Sequence, residues 1–204
     1  MIILMAANCH VLLGKNDKIE SLHNMLGRIG VPDILILTEV GGISGRDDIR
    51  GKILRGPLKD FLLGFSQRQK AVEGARPGAG IMLMVNKNKF RIADLADRLQ
   101  TEKGAMNLDD IQLTDGHLRT WKLTTAEGET LFVTVCYIPP RRDGVSGVRL
   151  RSRQLILQRV KMIKANYPLA RQIISGHMNC PDGGIEIADE FDGGTSETVD
   201  GSDV

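Results

Sequence analysis

Short apolar runs that alternate with amphipathic stretches predict an α/β fold organised on a mixed β-sheet. Three observations carry this expectation. The apolar runs are brief and rich in aliphatic and β-branched residues, as buried strands are. Two longer segments repeat their apolar residues at helical spacing. Two strand-like runs joined by Ala126-Glu127-Gly128-Glu129 predict a hairpin, so the sheet is not purely parallel.

Taken in order, residues 2–6 read as a buried strand. Asn16 or Asp17 caps a helix whose Ile19, Leu22, Leu26 and Ile29 fall on one face, and Gly30 stops it. Val31-Pro32-Asp33 is a turn, and residues 34–37 form a second buried strand. The glycine-rich, mixed-charge stretch 41–56 reads as a loop or a frayed element. Residues 61–65 are a short apolar piece, 76–80 a loop, and 81–85 a strand. Residues 86–110 look like a surface connection with a helical part around Leu95. The hairpin follows, with strands at 118–123 and 131–137. Residues 148–165 place Val148, Leu155, Ile156, Val160 and Ile163 on one face of an amphipathic helix with a basic outer face. A last strand at 173–175 runs into Gly176-His177-Met178-Asn179.

Hydrophobic residues make up 42% and charged residues 25% of the 204-residue chain, ordinary globular proportions that exclude wholesale disorder. No apolar run approaches the roughly 20 residues that span a bilayer. The opening apolar run is too short, and lacks the basic start, for a secretory signal. Cys9, Cys136 and Cys180 are too scattered for a disulfide framework or a zinc knuckle, so a reducing, intracellular compartment is expected.

Charge is distributed unevenly. All 27 Lys and Arg residues lie at or before Arg171, whereas the stretch from Pro181 to Val204 holds eight acidic residues and no basic one. The chain therefore divides into a basic body, 1–181, and an acidic, glycine-rich tail, 182–204, which is expected to be disordered. Arg141, Arg142, Arg149, Arg151, Arg153 and Arg159 cluster around the last helix with little opposing charge. This density of cations favours a polyanionic partner and is enough to hold a phosphate backbone. A solvated helix face is the plainer reading of the same residues.

Four polar groups end predicted strands: Asn8, Glu39, Tyr137, and the His177–Asn179 pair. Strand ends are where an α/β sheet collects its ligand site. Glu39 with the Asn8 amide suits a hard divalent cation, and such an ion would serve phosphodiester hydrolysis. Tyr137 would donate a hydrogen bond to the phosphate and Asn179 would orient it. Each has a structural alternative. Asn8 reads equally as a turn residue, Glu39 as a solvated charge, Tyr137 as a half-buried aromatic, and His177 as a loop histidine.

The order of these segments resembles the endonuclease/exonuclease/phosphatase superfamily, which includes apurinic-site endonucleases, pancreatic-type deoxyribonucleases and the endonuclease domains of non-LTR retrotransposons. The matching pieces are the strand ending in Asn8, PDILILTEV at 32–40, GAGIMLMV at 78–85, LFVTVCYIPP at 131–140 and QIISGHMNCP at 172–181. The retrotransposon branch is the most similar. The resemblance implies a four-layer α/β sandwich, with two mixed sheets face to face and helices outside. It also implies Asn8 and Glu39 as ligands of Mg²⁺ or Mn²⁺, Tyr137 and Asn179 around the phosphate, DNA as partner, and a nuclear setting.

Two departures accompany it. The family's water-activating aspartate is His177 here. The family fold also continues past this motif with further strands and a Ser-Asp-His motif, for which Ser202-Asp203-Val204 is no substitute. The expectation is therefore a partial sandwich with weak or lost endonuclease activity, its open sheet covered by a second chain. A non-catalytic nucleic-acid-binding remnant is the alternative.

Overall fold

Aliphatic runs without polar interruption need cover on both faces, and layering supplies it. The computed structural model describes residues 2–8, 16–41, 47–67, 80–94, 118–137 and 146–177. The first sheet contains β1 (Leu4–Asn8), β2 (Ile34–Val40), β3 (Phe61–Gln67) and β4 (Gly80–Asn86) in the order β1-β2-β4-β3. β1 runs parallel to β2, and β4 is antiparallel to both β2 and β3. The second sheet contains β5 (Phe90–Asp94), β6 (Leu118–Thr125), β7 (Thr130–Tyr137) and β8 (Arg171–His177), paired in chain order, with only β7–β8 parallel.

Strand alternation sorts the side chains into three cores. Ile34, Ile36, Ile81, Leu83 and Val85 of the first sheet meet Trp121, Leu123, Leu131, Val133 and Val135 of the second. On its other face the first sheet sends Leu35, Leu37, Val40, Met82 and Met84 against α1 (Asn16–Ile29) and α2 (Asp47–Ile53). The second sheet packs Leu118 and Cys136 against Leu155, Ile156 and Val160 of α3 (Ser146–Asn166), and Phe132 against Ile163. The result is the helix–sheet–sheet–helix order that the resemblance implies. No helix among the described residues is long and apolar enough to cross a membrane.

Several elements differ from the sequence reading. β1 starts two residues later, because Ile2 and Ile3 remain 41% and 52% exposed while Ala7 and Asn8 join the sheet. Part of the 41–56 stretch is helical after all. In α2, Ile49 and Ile53 are four residues apart and both buried, and that burial outweighs Gly51. The 86–110 connection contains β5, whose pairing with β6 extends the second sheet. Leu95, the loop at 76–79 and the tail 182–204 lie outside the described residues.

Asp33 ties one end of the first sheet together. Its Oδ2 accepts the Ile3 amide at 3.0 Å, and its Oδ1 meets Lys89 Nζ at 2.7 Å. Its own amide donates to the Ile3 carbonyl and its carbonyl accepts from Asn86. Burial pushes the carboxyl pKa up, but the Lys89 ammonium and the Ile3 amide outweigh it and hold the carboxyl below its ordinary value. A folded-state pKa below the unfolded one gives stability that is present above about pH 4 and lost as the pH falls through the folded value. Replacing Asp33 with Asn is expected to cost about 1–3 kcal/mol near neutral pH. The gap between the two proteins should close in acid, as followed by urea unfolding from pH 7 to pH 2.5.

Gly64 of β3 leaves room for the indole of Trp121, which crosses from the second sheet. A methyl group there would stand 2.5 Å from Trp121 Nε1 and 2.8 Å from Cε2. Gly64→Ala should therefore destabilise the fold by about 1–3 kcal/mol, read as a lower melting temperature with a shifted tryptophan emission.

Candidate functional site

The parallel pairs β1–β2 and β7–β8 point their C-terminal ends the same way, and β1 and β2 pack over β8. Asn8, Glu39, Tyr137 and His177 therefore arrive at one rim of the sandwich. Asn8 closes β1 on the face that Leu4 turns toward the second sheet. Tyr137 and His177 are register partners at the ends of β7 and β8, with ring centroids 5.8 Å apart and planes inclined at 57°.

Glu39 reaches the rim through a bulge. Leu37 pairs with Met82 but Val40 pairs with Gly80, so β2 carries one residue more than β4 across this interval. In a regular strand Glu39 would share the face of Leu35 and Leu37 and lie under the helices. With the extra residue, Val40 takes that place and the carboxylate is released to the rim. The backbone of Glu39 adopts φ 54°, the only positive φ of a non-glycine among the described residues. Such a conformation costs an L-residue about 1–2 kcal/mol and persists where surrounding structure enforces it.

Three side chains converge. Asn8 Nδ2 donates to Glu39 Oε1 at 3.1 Å and lies 2.7 Å from His177 Nδ1, which is itself 3.2 Å from Glu39 Oε1. The Glu39 side chain is 14% exposed and that of His177 36%, so the cluster opens to solvent on the histidine side. Glu39 brings a carboxylate and Asn8 an amide, and the oxygens of both groups are hard donors of the kind that ligate a small divalent cation, although the Asn8 atom facing Glu39 is the nitrogen Nδ2. Among the described residues no group of three or more His, Cys, Asp and Glu gathers anywhere.

Asn179, Arg141 and Arg142 lie outside the described residues. Arg149, Arg151 and Arg153 fall in the first turns of α3, and their side chains are likewise outside. Those turns have a definite place, however. Leu155 and Ile156 pack near Cys136 while Ile163 packs near Phe132, so α3 runs antiparallel to β7 and begins at the rim that carries Glu39. Arg159, expected on the basic outer face, is instead 6% exposed beneath the helix. Lys161 and Lys164 do face solvent, toward the far end.

Gly176 is a positioning residue that the strand-end reading passed over. It has φ 149°, and a Cβ there would overlap the Cys136 carbonyl of the neighbouring strand. Only glycine lets β8 come this close just before His177. Burial pushes the Cys136 thiol up to about 12, which removes it from nucleophilic chemistry at the rim. Gly176→Ala is expected to push β8 off β7, costing several kcal/mol (about 2–4). Amide hydrogen exchange should locate the loss of protection in residues 171–177 and 130–137 before the rest of the molecule.

No family model and no curated protein matches the sequence. Solved structures do. The human Nocturnin catalytic domain with bound sulfate superposes with a TM-score of 0.62 at 19% identity, over 89% of this chain and 66% of that one. D. rerio TDP2 complexed with single strand DNA product gives 0.58 at 16%, over 93% and 64%. AP endonuclease LMAP from Leishmania major gives 0.56 at 14%, over 86% and 54%. The chain thus spans less than two thirds of the length of these proteins. All three have the endonuclease/exonuclease/phosphatase fold, and this chain shares it.

Proposed function

We propose that the protein is a divalent-metal-dependent phosphodiesterase acting on nucleic acid, of the retrotransposon endonuclease type, with low turnover. The convergence of Asn8, Glu39, Tyr137 and His177 at one rim carries this reading. The segments come from distant parts of the chain, and their meeting at one rim supports a shared site. Two of the similar structures, a TDP2 with a single strand DNA product and an AP endonuclease, support the substrate class.

Glu39 and Asn8 would hold Mg²⁺ or Mn²⁺ at the rim. That ion would supply polarisation of the phosphoryl oxygens and relief of charge on the leaving oxygen. Tyr137, at the end of β7, would donate its hydroxyl hydrogen to a non-bridging phosphate oxygen. The first turns of α3, with Arg149, Arg151 and Arg153, begin at the same rim and would bind the flanking backbone. His177 limits the rate. Its Nδ1 is turned into the Asn8–Glu39 cluster, so this nitrogen is not placed to take a proton from water.

One observation favours a second reading, a binding protein without catalysis: Glu39 Oε1 is already approached by two nitrogens of its own chain. Nicking of supercoiled plasmid separates the two. The nuclease reading expects slow, metal-dependent nicking that falls roughly 100-fold or more in Glu39→Gln and about tenfold in Tyr137→Phe. Salt-sensitive plasmid binding with no nicking in either metal, equal in wild type and Glu39→Gln, would establish the binding protein instead.

A further inference from the structure

We infer that His177 is itself a metal ligand, its Nδ1 completing with Asn8 and Glu39 a three-donor face selective for Mn²⁺ over Mg²⁺. The inference rests on the reading of this rim as a metal site and specifies which ion it holds.

The geometry is that of an octahedral face. The three atoms that meet are separated by 3.1, 2.7 and 3.2 Å. Neighbouring ligands of an octahedral ion bound at about 2.1 Å stand about 3.0 Å apart. An ion over this triangle would lie within reach of all three side chains. Asn8 presents its amide nitrogen to the triangle, and a half-turn of the amide puts Oδ1 in the same place, since the two atoms are nearly equal in size. The His177 side chain is 36% exposed, so solvent reaches the cluster from the histidine side.

Replacement of a carboxylate by imidazole at this position is conservative in reach. Nδ1 of histidine and Oδ of aspartate are both bonded to Cγ, so they extend equally far from the strand. What changes is the donor. Imidazole nitrogen suits Mn²⁺ and the later transition ions, whereas Mg²⁺ favours an all-oxygen shell. Two neighbours position the strand end and its ring. Gly176 brings β8 against β7, and the Tyr137 ring lies at 5.8 Å across the parallel pair.

Electron paramagnetic resonance of Mn²⁺ titrated into the full chain tests the assignment without relying on turnover. The expected result is one bound Mn²⁺ with electron spin-echo modulation from a directly coordinated ¹⁴N, absent in His177→Asp. That variant should still bind Mn²⁺ but with its preference over Mg²⁺ reduced roughly tenfold or more. Mn²⁺ bound through Glu39, lost in Glu39→Gln, yet without ¹⁴N modulation in the wild type would overturn the histidine ligand and leave the metal-site reading standing. Absence of Mn²⁺ binding, or binding indifferent to Glu39→Gln, would overturn both.

Discussion

Because side chains alternate along a strand, moving Glu39 by one position exchanges a helix-covered core for the rim between the sheets, and the extra residue in β2 makes that exchange. A carboxylate among Leu35, Leu37, Met82 and Met84 would be desolvated without a partner. At the rim it finds Asn8 and His177. The backbone accepts φ 54° at Glu39 in return. Strain of this kind persists where neighbouring structure over-determines it, and here the parallel partner β1 and the antiparallel partner β4 fix β2 on both sides.

The two ends of the sandwich are built differently. At the Asp33 end, a carboxylate with an amide and an ammonium partner stitches β1, β2 and the β4–β5 turn. At the Glu39 end, Asn8 and Glu39 join neighbouring strands of the first sheet, and His177 reaches both from the second, 169 and 138 positions away in sequence. The first end holds the fold whether or not the second carries out any chemistry. Substitutions at the rim therefore bear mainly on what the rim binds, apart from Gly176, whose missing side chain is part of the sheet itself.

Much of this was legible in the sequence, since burial on both faces writes itself as unbroken aliphatic runs and β2 and β4 have them. The polar residues ending those runs pointed to the rim for the same reason: apolar alternation stops where the sheet does. The rest depends on long-range partners. α2 forms because Ile49 and Ile53 find the first sheet, which outweighs a glycine that locally reads as a breaker. β5 carried a faint signal, the alternation of Phe90, Arg91, Ile92 and Ala93, but its strand character comes from pairing with β6. The bulge at Glu39 has no local signature at all, because it exists only as a mismatch in count between β2 and β4. Burial of Arg159 was equally hidden in a helix whose other cations suggested a uniform face.

The orientation of α3 has an electrostatic consequence. Aligned peptide dipoles leave partial positive charge at a helix N-terminus, and this 21-residue helix opens at the Glu39 end with no acidic residue in its first turn. The backbone alone thus tilts the potential at that end toward anions, before any arginine is counted. The effect reaches little beyond the first turn of the helix, so it bears on an anion already close to that end.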